Sequence, residues 1–373
     1  MIYLDYAANT PADEQVINTF GSVSREFTAN PNSVHFLGKM AAERLKESTL
    51  KVADILGVSE NEVIFTSGAS EANNTAIKGV AAHYRKYGKH IITTFLEHSS
   101  VNGAVSYLQN YGYEVEYAEI SPEGIVDIES LKKMIRVDTI LVSVCYVDSE
   151  VGLEQPIDEI GRILKEYPHC CFHVDATQAV GKIPVSFNNV DLATLTPHKF
   201  YGLNGCGILI KKEKIMLEPL IHGGISTTAY RSGTPALGMI AAAEKALDLA
   251  CSNSEERLIY VKQLNDMLKN GLKKYKSVMI NSNDNSIPFI LNISIDKVNT
   301  EKFREALEEY NICVSTKSAC CAPNTASRPV YALTGDRKRA LSTLRISLSH
   351  LTSEEEIDLF LDAFDECYKK FVK

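Results

Sequence analysis

Short apolar runs alternate with helical stretches between about residues 63 and 210. The runs are rich in β-branched residues and read VIFT, HIITT, VEYAEI, TILVSV, CFHVD, LATLT and GILI. Nearly continuous apolar strands separated by helices are typical of a mostly parallel sheet that helices cover on both faces. The pattern therefore predicts an α/β domain.

The pattern changes after about residue 250. Apolar residues recur on one helical face at residues 258–272, and apolar and polar residues then alternate strictly at residues 287–295. The first spacing predicts a long helix, and the second predicts a strand with one solvated face. A last helical stripe follows Ser353 and Glu356, which are spaced as a capping box. These elements predict a smaller α+β lobe.

Composition and charge indicate a folded, enzyme-sized protein. Of the 373 residues 45% are hydrophobic and 23% are charged, and the net charge is -8 with no long basic block. The longest apolar run is about half of what a membrane helix needs, and Asp5 lies where a signal peptide would be apolar. We therefore expect a cytoplasmic protein that binds neither nucleic acid nor a membrane.

The nine cysteines are an odd number without a CxxC pair, which fits reduced thiols better than a disulfide framework. Two pairs are adjacent in sequence, Cys170 with Cys171 and Cys320 with Cys321. Neither has a second Cys/His pair at zinc-finger spacing. A metal site is therefore the weaker interpretation.

Polar residues follow several predicted strands at the edge where open α/β folds bind ligands. In TSGASEANN, residues 66–74, Ala69 and Ser70 begin a helix and are placed to hold a phosphate. Asp175 and Lys199 follow two later strands; an acid can keep a pyridinium nitrogen protonated, and a lysine with a lowered pKa can form a Schiff base. Taken singly, a helix cap and a solvated lysine are the commoner explanations. Their order on successive strand ends favours a pyridoxal-phosphate (PLP) site.

Short motifs run in order through nearly the whole chain. They are YLDYAANTP (3–11), NPNSVH (30–35), TSGASEANN (66–74), LEHSSV (96–101), HVDATQAVGK (173–182), PHK (197–199), HGG (222–224), RSGT (231–234), SAC (318–320) and LRISLSHLTSEEEID (344–358). In these motifs the sequence resembles the NifS/IscS-type cysteine desulfurases, which are fold-type I PLP enzymes of the class V aminotransferase group.

The resemblance implies a mostly parallel seven-stranded sheet with helices on both faces and a smaller α+β C-terminal domain. The large PLP-binding domain would span residues 13–250. Residues 1–12 and 251–373 would form the small domain, with the catalytic-cysteine loop at about residues 315–335.

The resemblance also assigns roles to single residues. It implies that Lys199 holds PLP, that Asp175 pairs with the ring nitrogen, and that His98 stacks on the ring and takes part in proton transfer. Taken alone, His98 would be interpreted as a buried core histidine.

Further residues are implied as contacts of the cofactor or of L-cysteine. The cofactor contacts are Ala69, Ser70, Ser149, Gln178, Thr196, His198 and, from the partner subunit of a homodimer, Thr234, while Asn30 and Arg345 bind the substrate carboxylate. Arg345 suits a bidentate pair with a carboxylate, although a surface ion pair is the usual alternative for an arginine.

Cys320 is implied as the nucleophile. Its thiolate would attack the sulfur of cysteine, which leaves an enzyme persulfide and alanine, and the sulfur would then pass to an acceptor. The loop between Cys320 and Arg345 has a length similar to the long-loop group that includes IscS, which favours an iron-sulfur scaffold or another sulfur-relay protein as acceptor. Cys321 either relays the persulfide or, as we favour, only packs.

Two segments depart from the family. Ser149 stands where an asparagine normally contacts the cofactor, so that this contact is shorter or water-bridged. Residues 223–227, GGIST, replace the usual GGGQE near the subunit boundary. The nearest alternatives are a selenocysteine lyase, a transaminase or a cysteine lyase that forms no persulfide; a non-catalytic sulfur carrier would not need the intact cofactor residues.

Overall fold

The computed structural model describes residues 1–317 and 325–372. The strands are β1 (Ile2–Tyr3), β2 (Val63–Thr66), β3 (His90–Thr93), β4 (Glu114–Tyr117), β5 (Thr139–Cys145), β6 (Cys171–Asp175), β7 (Leu192–Leu195), β8 (Gly207–Lys211), β9 (Val278–Ile280), β10 (Ile290–Ile295), β11 (Ile312–Cys313) and β12 (Thr343–Ser347). The helices are α1 (Glu14–Glu26), α2 (Phe36–Leu56), α3 (Ala69–Tyr84), α4 (Ser99–Gln109), α5 (Ile128–Met134), α6 (Ile157–Leu164), α7 (Leu237–Ser252), α8 (Ser254–Leu272), α9 (Thr300–Glu308), α10 (Arg328–Thr334), α11 (Arg337–Leu341) and α12 (Glu354–Phe371).

Seven of these strands form the large sheet, in the order β2-β8-β7-β6-β5-β3-β4. Only β8 runs antiparallel to its neighbours, so the prediction of a mostly parallel seven-stranded sheet is confirmed. The parallel strands end at one common edge. Asp175 lies at the end of β6, and residues 67, 94 and 196 directly follow β2, β3 and β7 at that edge.

Helices cover both faces of this sheet. Successive side chains of a strand point to opposite faces, and on β3 Ile91 and Ile92 accordingly belong to different buried clusters. Ile91 shares its cluster with Ile77 of α3 and Val101 of α4, whereas Ile92 shares its cluster with Ile160 of α6. The core therefore lies in two layers, one on each side of the sheet.

Two smaller sheets involve the C-terminal part of the chain. Strands β12, β10 and β9 form an antiparallel sheet, and β1 pairs in parallel with β11. The N-terminal residues therefore pack with the C-terminal elements. The exact division at residues 12 and 250 stays a prediction.

The C-terminal helix begins as predicted. The Ser353 hydroxyl accepts a hydrogen bond from the amide of Glu356, and a Glu356 carboxylate oxygen accepts one from the amide of Ser353. This capping box satisfies backbone donors that the first helical turn leaves without intrahelical partners. Within the described residues, no helix is both long and apolar enough to span a membrane.

The prediction of one solvated face at residues 287–295 is wrong. Every residue of β10 is buried, because β10 is the central strand of its sheet and its polar face packs against other protein groups. Asn292 Nδ2 donates to the carbonyl of Glu150 at 2.9 Å, and Asn281 Nδ2 donates to Asn292 Oδ1 at 2.6 Å and to Ser294 Oγ at 2.8 Å. The alternation therefore marks an apolar face and a buried, hydrogen-bonded face.

Candidate active site

A cavity of about 350 Å³ opens at the carboxyl edge of the large sheet. Its walls contain most of the residues that the sequence predicts for the cofactor and substrate, namely Ala69, Ser70, His98, Ser149, Asp175, Gln178, Thr196, His198, Lys199 and Arg345. These residues come from six separate segments of the chain. The fold thus brings them together as the sequence predicts.

Asp175 lies buried in the cavity wall at the end of β6. Its Oδ2 accepts a hydrogen bond from Asn73 Nδ2 at 2.8 Å, and its Oδ1 accepts one from the amide of Thr177 at 3.0 Å. A buried carboxylate is costly unless it is hydrogen-bonded, and these donors also fix its orientation. A fixed anionic group is thereby presented to the cavity.

Lys199 lies on the short 3₁₀ turn that follows β7. Its Nζ donates to the carbonyl of Ala7 at 2.8 Å and to the carbonyl of Ala8 at 2.6 Å. The same N-terminal segment binds the turn itself, because the amide of Thr10 donates to the carbonyl of His198. The sequence motif that contains Ala7 and Ala8 pointed to the family, but it gave no reason to expect these carbonyls at the lysine.

His98 caps the N-terminus of α4 and lines the cavity. Its Nδ1 accepts a hydrogen bond from the amide of Ser100 at 3.2 Å, so that the neutral ring carries its proton on Nε2. Burial lowers the pKa of His98, and the positive charge of Lys199 adds to this effect, whereas Asp175 opposes it. The His98 imidazole therefore lines the cavity in its neutral form.

A candidate anion site lies where β2 passes into α3. No side chain caps this helix, and its first residues, Ala69 and Ser70, line the cavity. The first N–H groups of a helix have no intrahelical partner and suit an anion. The antiparallel strand β8 approaches closely: a Cβ on Gly207 would lie 2.5 Å from the carbonyl carbon of Gly68. Only glycine therefore fits at position 207 without moving this turn.

Thr196 and His198 also line the cavity. The Thr196 hydroxyl donates to the carbonyl of Cys206 at 2.7 Å and therefore accepts from His198 Nδ1, which lies 3.0 Å away. Burial lowers the pKa of His198 to about 4, and the positive charges of Lys199 and Lys182 act in the same direction. His198 is thus a neutral hydrogen-bonding group at neutral pH.

Arg345 on β12 is buried and ion-paired. Its Nη2 lies 2.7 Å from Asp5 Oδ1, and its Nη1 donates to the carbonyl of Ser149 at 2.8 Å. Its Nε has no hydrogen-bond partner among the described residues. Arg345 therefore forms a buried ion pair and not the surface ion pair that is usual for an arginine. Its partner, Asp5, was missed by sequence analysis.

Asn30 and Thr234 are not brought into this cavity. Both side chains are exposed, and Asn30 Nδ2 lies 3.5 Å from Thr234 Oγ1. Cys320 and Cys321 lie outside the described residues. The segment that leads to them does reach the site, because Ser315 exchanges two backbone hydrogen bonds with Arg345.

Glu97 is a buried acid that sequence analysis also missed, although it directly precedes His98. Its Oε1 accepts hydrogen bonds from the Thr94 hydroxyl and the Cys145 amide, both at 2.8 Å. Burial raises the pKa of Glu97 to about 8, and the negative charge of Asp175 also raises it. Glu97 is therefore a neutral carboxylic acid over most of the physiological range.

We expect Glu97 to make the folded protein less stable at high pH. Its folded-state pKa lies above its ordinary value of 4.5, so its contribution to stability is complete below pH 4.5 and is lost as the pH rises to about 8. The Glu97→Gln variant cannot ionise, so its free energy of unfolding relative to the unmodified chain should rise by on the order of a few kcal/mol between pH 5 and pH 9. Urea denaturation at both pH values measures this difference. The exposed Glu119 provides the matched control, Glu119→Gln, and an equal change in both variants would contradict the expectation.

Comparison with known proteins gives relatives that match over the full chain. The "NifS/IcsS protein homolog" of Lactobacillus delbrueckii subsp. bulgaricus is 39% identical over 100% of this chain and 98% of its own, and the "Cysteine desulfurase IscS" of Mannheimia succiniciproducens is 38% identical over 99% and 93%. A solved "NIFS-LIKE PROTEIN" superposes with a TM-score of 0.93 at 34% identity and covers 99% of this chain and 100% of that chain. The family profile described as aminotransferase class-V matches residues 2–360. The predicted family is thereby confirmed: the chain belongs to the class-V aminotransferases and, among them, to the NifS/IscS-type cysteine desulfurases.

Proposed function

We propose that this chain is a PLP-dependent cysteine desulfurase, which converts L-cysteine to L-alanine and transfers the sulfur first to Cys320 as a persulfide. The observation that carries this proposal is the convergence of Lys199, Asp175 and His98 on one cavity beside an uncapped helix N-terminus. A lysine, a fixed acid and an anion site are the groups that PLP requires. The names of the full-length relatives point to the same reaction.

The cavity fits this cofactor in its donor set. The N-terminus of α3 suits the phosphate, and Thr196 would join it once its hydroxyl turns from the Cys206 carbonyl toward the phosphate, with His198 holding the Thr196 oxygen. Asp175 suits the ring nitrogen, and Gln178 suits the phenolic oxygen. The hydroxyl of Thr177, which also lines the cavity, is buried without a hydrogen-bond partner among the described residues. When bound, PLP withdraws electrons from the α-carbon of the substrate.

The protein residues would bind, orient and move protons. Lys199 would exchange its contacts with the Ala7 and Ala8 carbonyls for the cofactor and, as a free amine, would take the α-proton of cysteine. The neutral His98 ring lies in the same cavity and can stack on the cofactor and donate its Nε2 proton. A buried, neutral histidine avoids adding a charge beside Lys199.

The substrate carboxylate would bind at Arg345. The guanidinium already lies at the cavity wall, and its buried Nε has no hydrogen-bond partner among the described residues. Asn30 would add a contact to the substrate carboxylate. Because Asn30 does not line the cavity, its segment would have to move toward the cavity to make this contact. Ser149 is shorter than the family's asparagine and has its carbonyl bound by Arg345, so its side chain would contact the cofactor through water.

Replacement of Cys320 separates this reaction from its alternatives. We expect Cys320→Ser to lose nearly all alanine production from cysteine and all protein persulfide, while the visible absorbance of bound PLP remains. Cys145→Ser is the matched control, because Cys145 also lines the cavity but its burial raises the pKa of its thiol well above the ordinary value, which makes it a poor nucleophile. Alanine and persulfide are measured together by mass spectrometry. Undiminished alanine release by Cys320→Ser would favour a cysteine lyase, and loss of the persulfide in Cys321→Ala alone would move the nucleophile to Cys321.

We further propose that the persulfide is delivered to an acceptor protein in the cytoplasm, such as an iron-sulfur scaffold. The long segment after Cys320 supports this, and all cysteines of the described part of the chain are free thiols, as in a reducing compartment. When the protein is loaded with ³⁵S-cysteine, we expect the label to pass to a scaffold protein and to stay on the enzyme if the scaffold's cysteines are alkylated. A scaffold that binds the enzyme and never receives label would contradict this acceptor.

We propose a homodimer in which Thr234 of each chain completes the phosphate site of the other. Thr234 lies outside the cavity of its own chain and 3.5 Å from Asn30 Nδ2. Asn32 donates to Ser226 Oγ at 2.8 Å, and the two segments joined in this way expose Val34 at 89%, Phe36 at 70% and Ile225 at 84%. Such exposure at neighbouring positions is typical of an interface. The segment that differs from the family, residues 223–227, belongs to this surface.

The dimer can be tested with one charged substitution. We expect Phe36→Asp to shift the protein to monomer and to weaken PLP binding at least tenfold, because a buried interface charge costs several kcal/mol and the partner's Thr234 is lost. Sedimentation and PLP titration measure the two effects. Val137→Asp is the control, since Val137 is 97% exposed on another part of the surface. A Phe36→Asp protein that remains dimeric would exclude this interface.

A further inference from the structure

A buried lysine lies behind the cavity without a role in the proposed reaction. Lys182 follows β6 in the same turn as Gln178 and is 7% exposed. Its Nζ donates to Gln178 Oε1 at 2.5 Å. Burial and, less strongly, the positive charges of Lys199 and Arg345 lower the pKa of Lys182 to about 7. Burying an amine close to other cations costs free energy. The burial of Lys182 and its hydrogen bond to Gln178 therefore call for a structural reason.

The contacts of Gln178 provide this explanation. Its Nε2 donates to the carbonyl of Ala7 at 2.9 Å, whereas its Oε1 accepts from Lys182. A carbonyl only accepts hydrogen bonds, so the nitrogen of the amide must face Ala7 and the oxygen must face Lys182. The two neighbours therefore determine one orientation of an amide that could otherwise rotate by 180°.

This orientation matters at the cavity that Gln178 lines. The amide nitrogen carries two hydrogens, and the Ala7 carbonyl accepts only one of them. Ala7 is shared with Lys199, whose Nζ donates to the same carbonyl at 2.8 Å. When Lys199 leaves the Ala7 carbonyl to hold a cofactor, the hydrogen bond from Lys182 Nζ to Gln178 Oε1 stays unchanged.

We propose that Lys182 is a positioning residue: it binds Gln178 Oε1 and so directs Gln178 Nε2 into the cavity, as a hydrogen-bond donor to the phenolic oxygen of PLP. This inference rests on the proposed function and deepens it. The residue acts through Gln178 and does not itself line the cavity. Its effect on the cofactor should therefore disappear when Gln178 is removed.

A double-mutant cycle tests this dependence. Lys182→Met, Gln178→Leu and the double variant are prepared without cofactor and titrated with PLP, and the dissociation constant and the position of the visible absorbance band are measured. We expect each single variant to bind PLP roughly tenfold more weakly, since a hydrogen bond to a charged oxygen is lost, and the double variant to be no weaker than either. The absorbance band should move in the same direction in all three variants.

Lys211→Met is the matched control. Lys211 is also buried, at 2% exposed, and its Nζ donates to the carbonyls of Lys212 and Ile215 away from the cavity. We expect it to leave the PLP dissociation constant and the absorbance band unchanged. Thermal unfolding of the cofactor-free proteins shows that each variant is folded, and methionine preserves the buried volume of the lysine stem.

The outcomes separate the inference from the proposed function. If the PLP dissociation constant of the double variant rose about a hundredfold, the two single effects would have multiplied. Lys182 would then act independently of Gln178, and the inference would be overturned. A Lys182→Met protein that binds PLP as tightly as the unmodified chain would overturn it as well. If the unmodified chain itself bound no PLP and released no alanine, the proposed function would fail, whatever the cycle gave.

Discussion

The buried ion pair between Arg345 and Asp5 determines the position of the N-terminal segment. Arg345 is 1% exposed, and loss of its carboxylate partner would leave a buried charge at a cost of about 3–5 kcal/mol. The pair fixes residues 1–10 against β12, where the amide of Ala7 also donates to Ser347 Oγ at 2.9 Å. This placement brings the Ala7 and Ala8 carbonyls to the end of Lys199.

The cavity wall carries both signs of charge. Lys199, Arg345 and the N-terminus of α3 supply the positive side, while Glu71, Asp148 and Asp175 line it as acids. His98 and His198 stay neutral because burial and the neighbouring cations disfavour further positive charge. A ligand that carries a phosphate and a substrate that carries a carboxylate both fit this balance.

Sequence patterns predicted the elements of the fold well where the signal is local. The apolar runs gave the strands of the large sheet, and the spacing of Ser353 and Glu356 gave the start of α12. The alternation at residues 287–295 gave a strand but the wrong environment for its polar face. Alternation reports only that two faces differ, and Asn292 is buried because another part of the chain supplies a hydrogen-bond acceptor.

The sequence by itself determined the family, the parallel sheet and the residues that meet at its carboxyl edge. Strand ends and ordered motifs can be recognised because they depend only on the spacing of residues along the chain. Only the tertiary structure decided that Asp5 pairs with Arg345, that the carbonyls of Ala7 and Ala8 accept from Lys199, and that Lys182 orients Gln178. Most of these contacts join residues nearly two hundred or more positions apart, and the last depends on burial. Neither long-range proximity nor the loss of solvent leaves a periodic signal in the sequence.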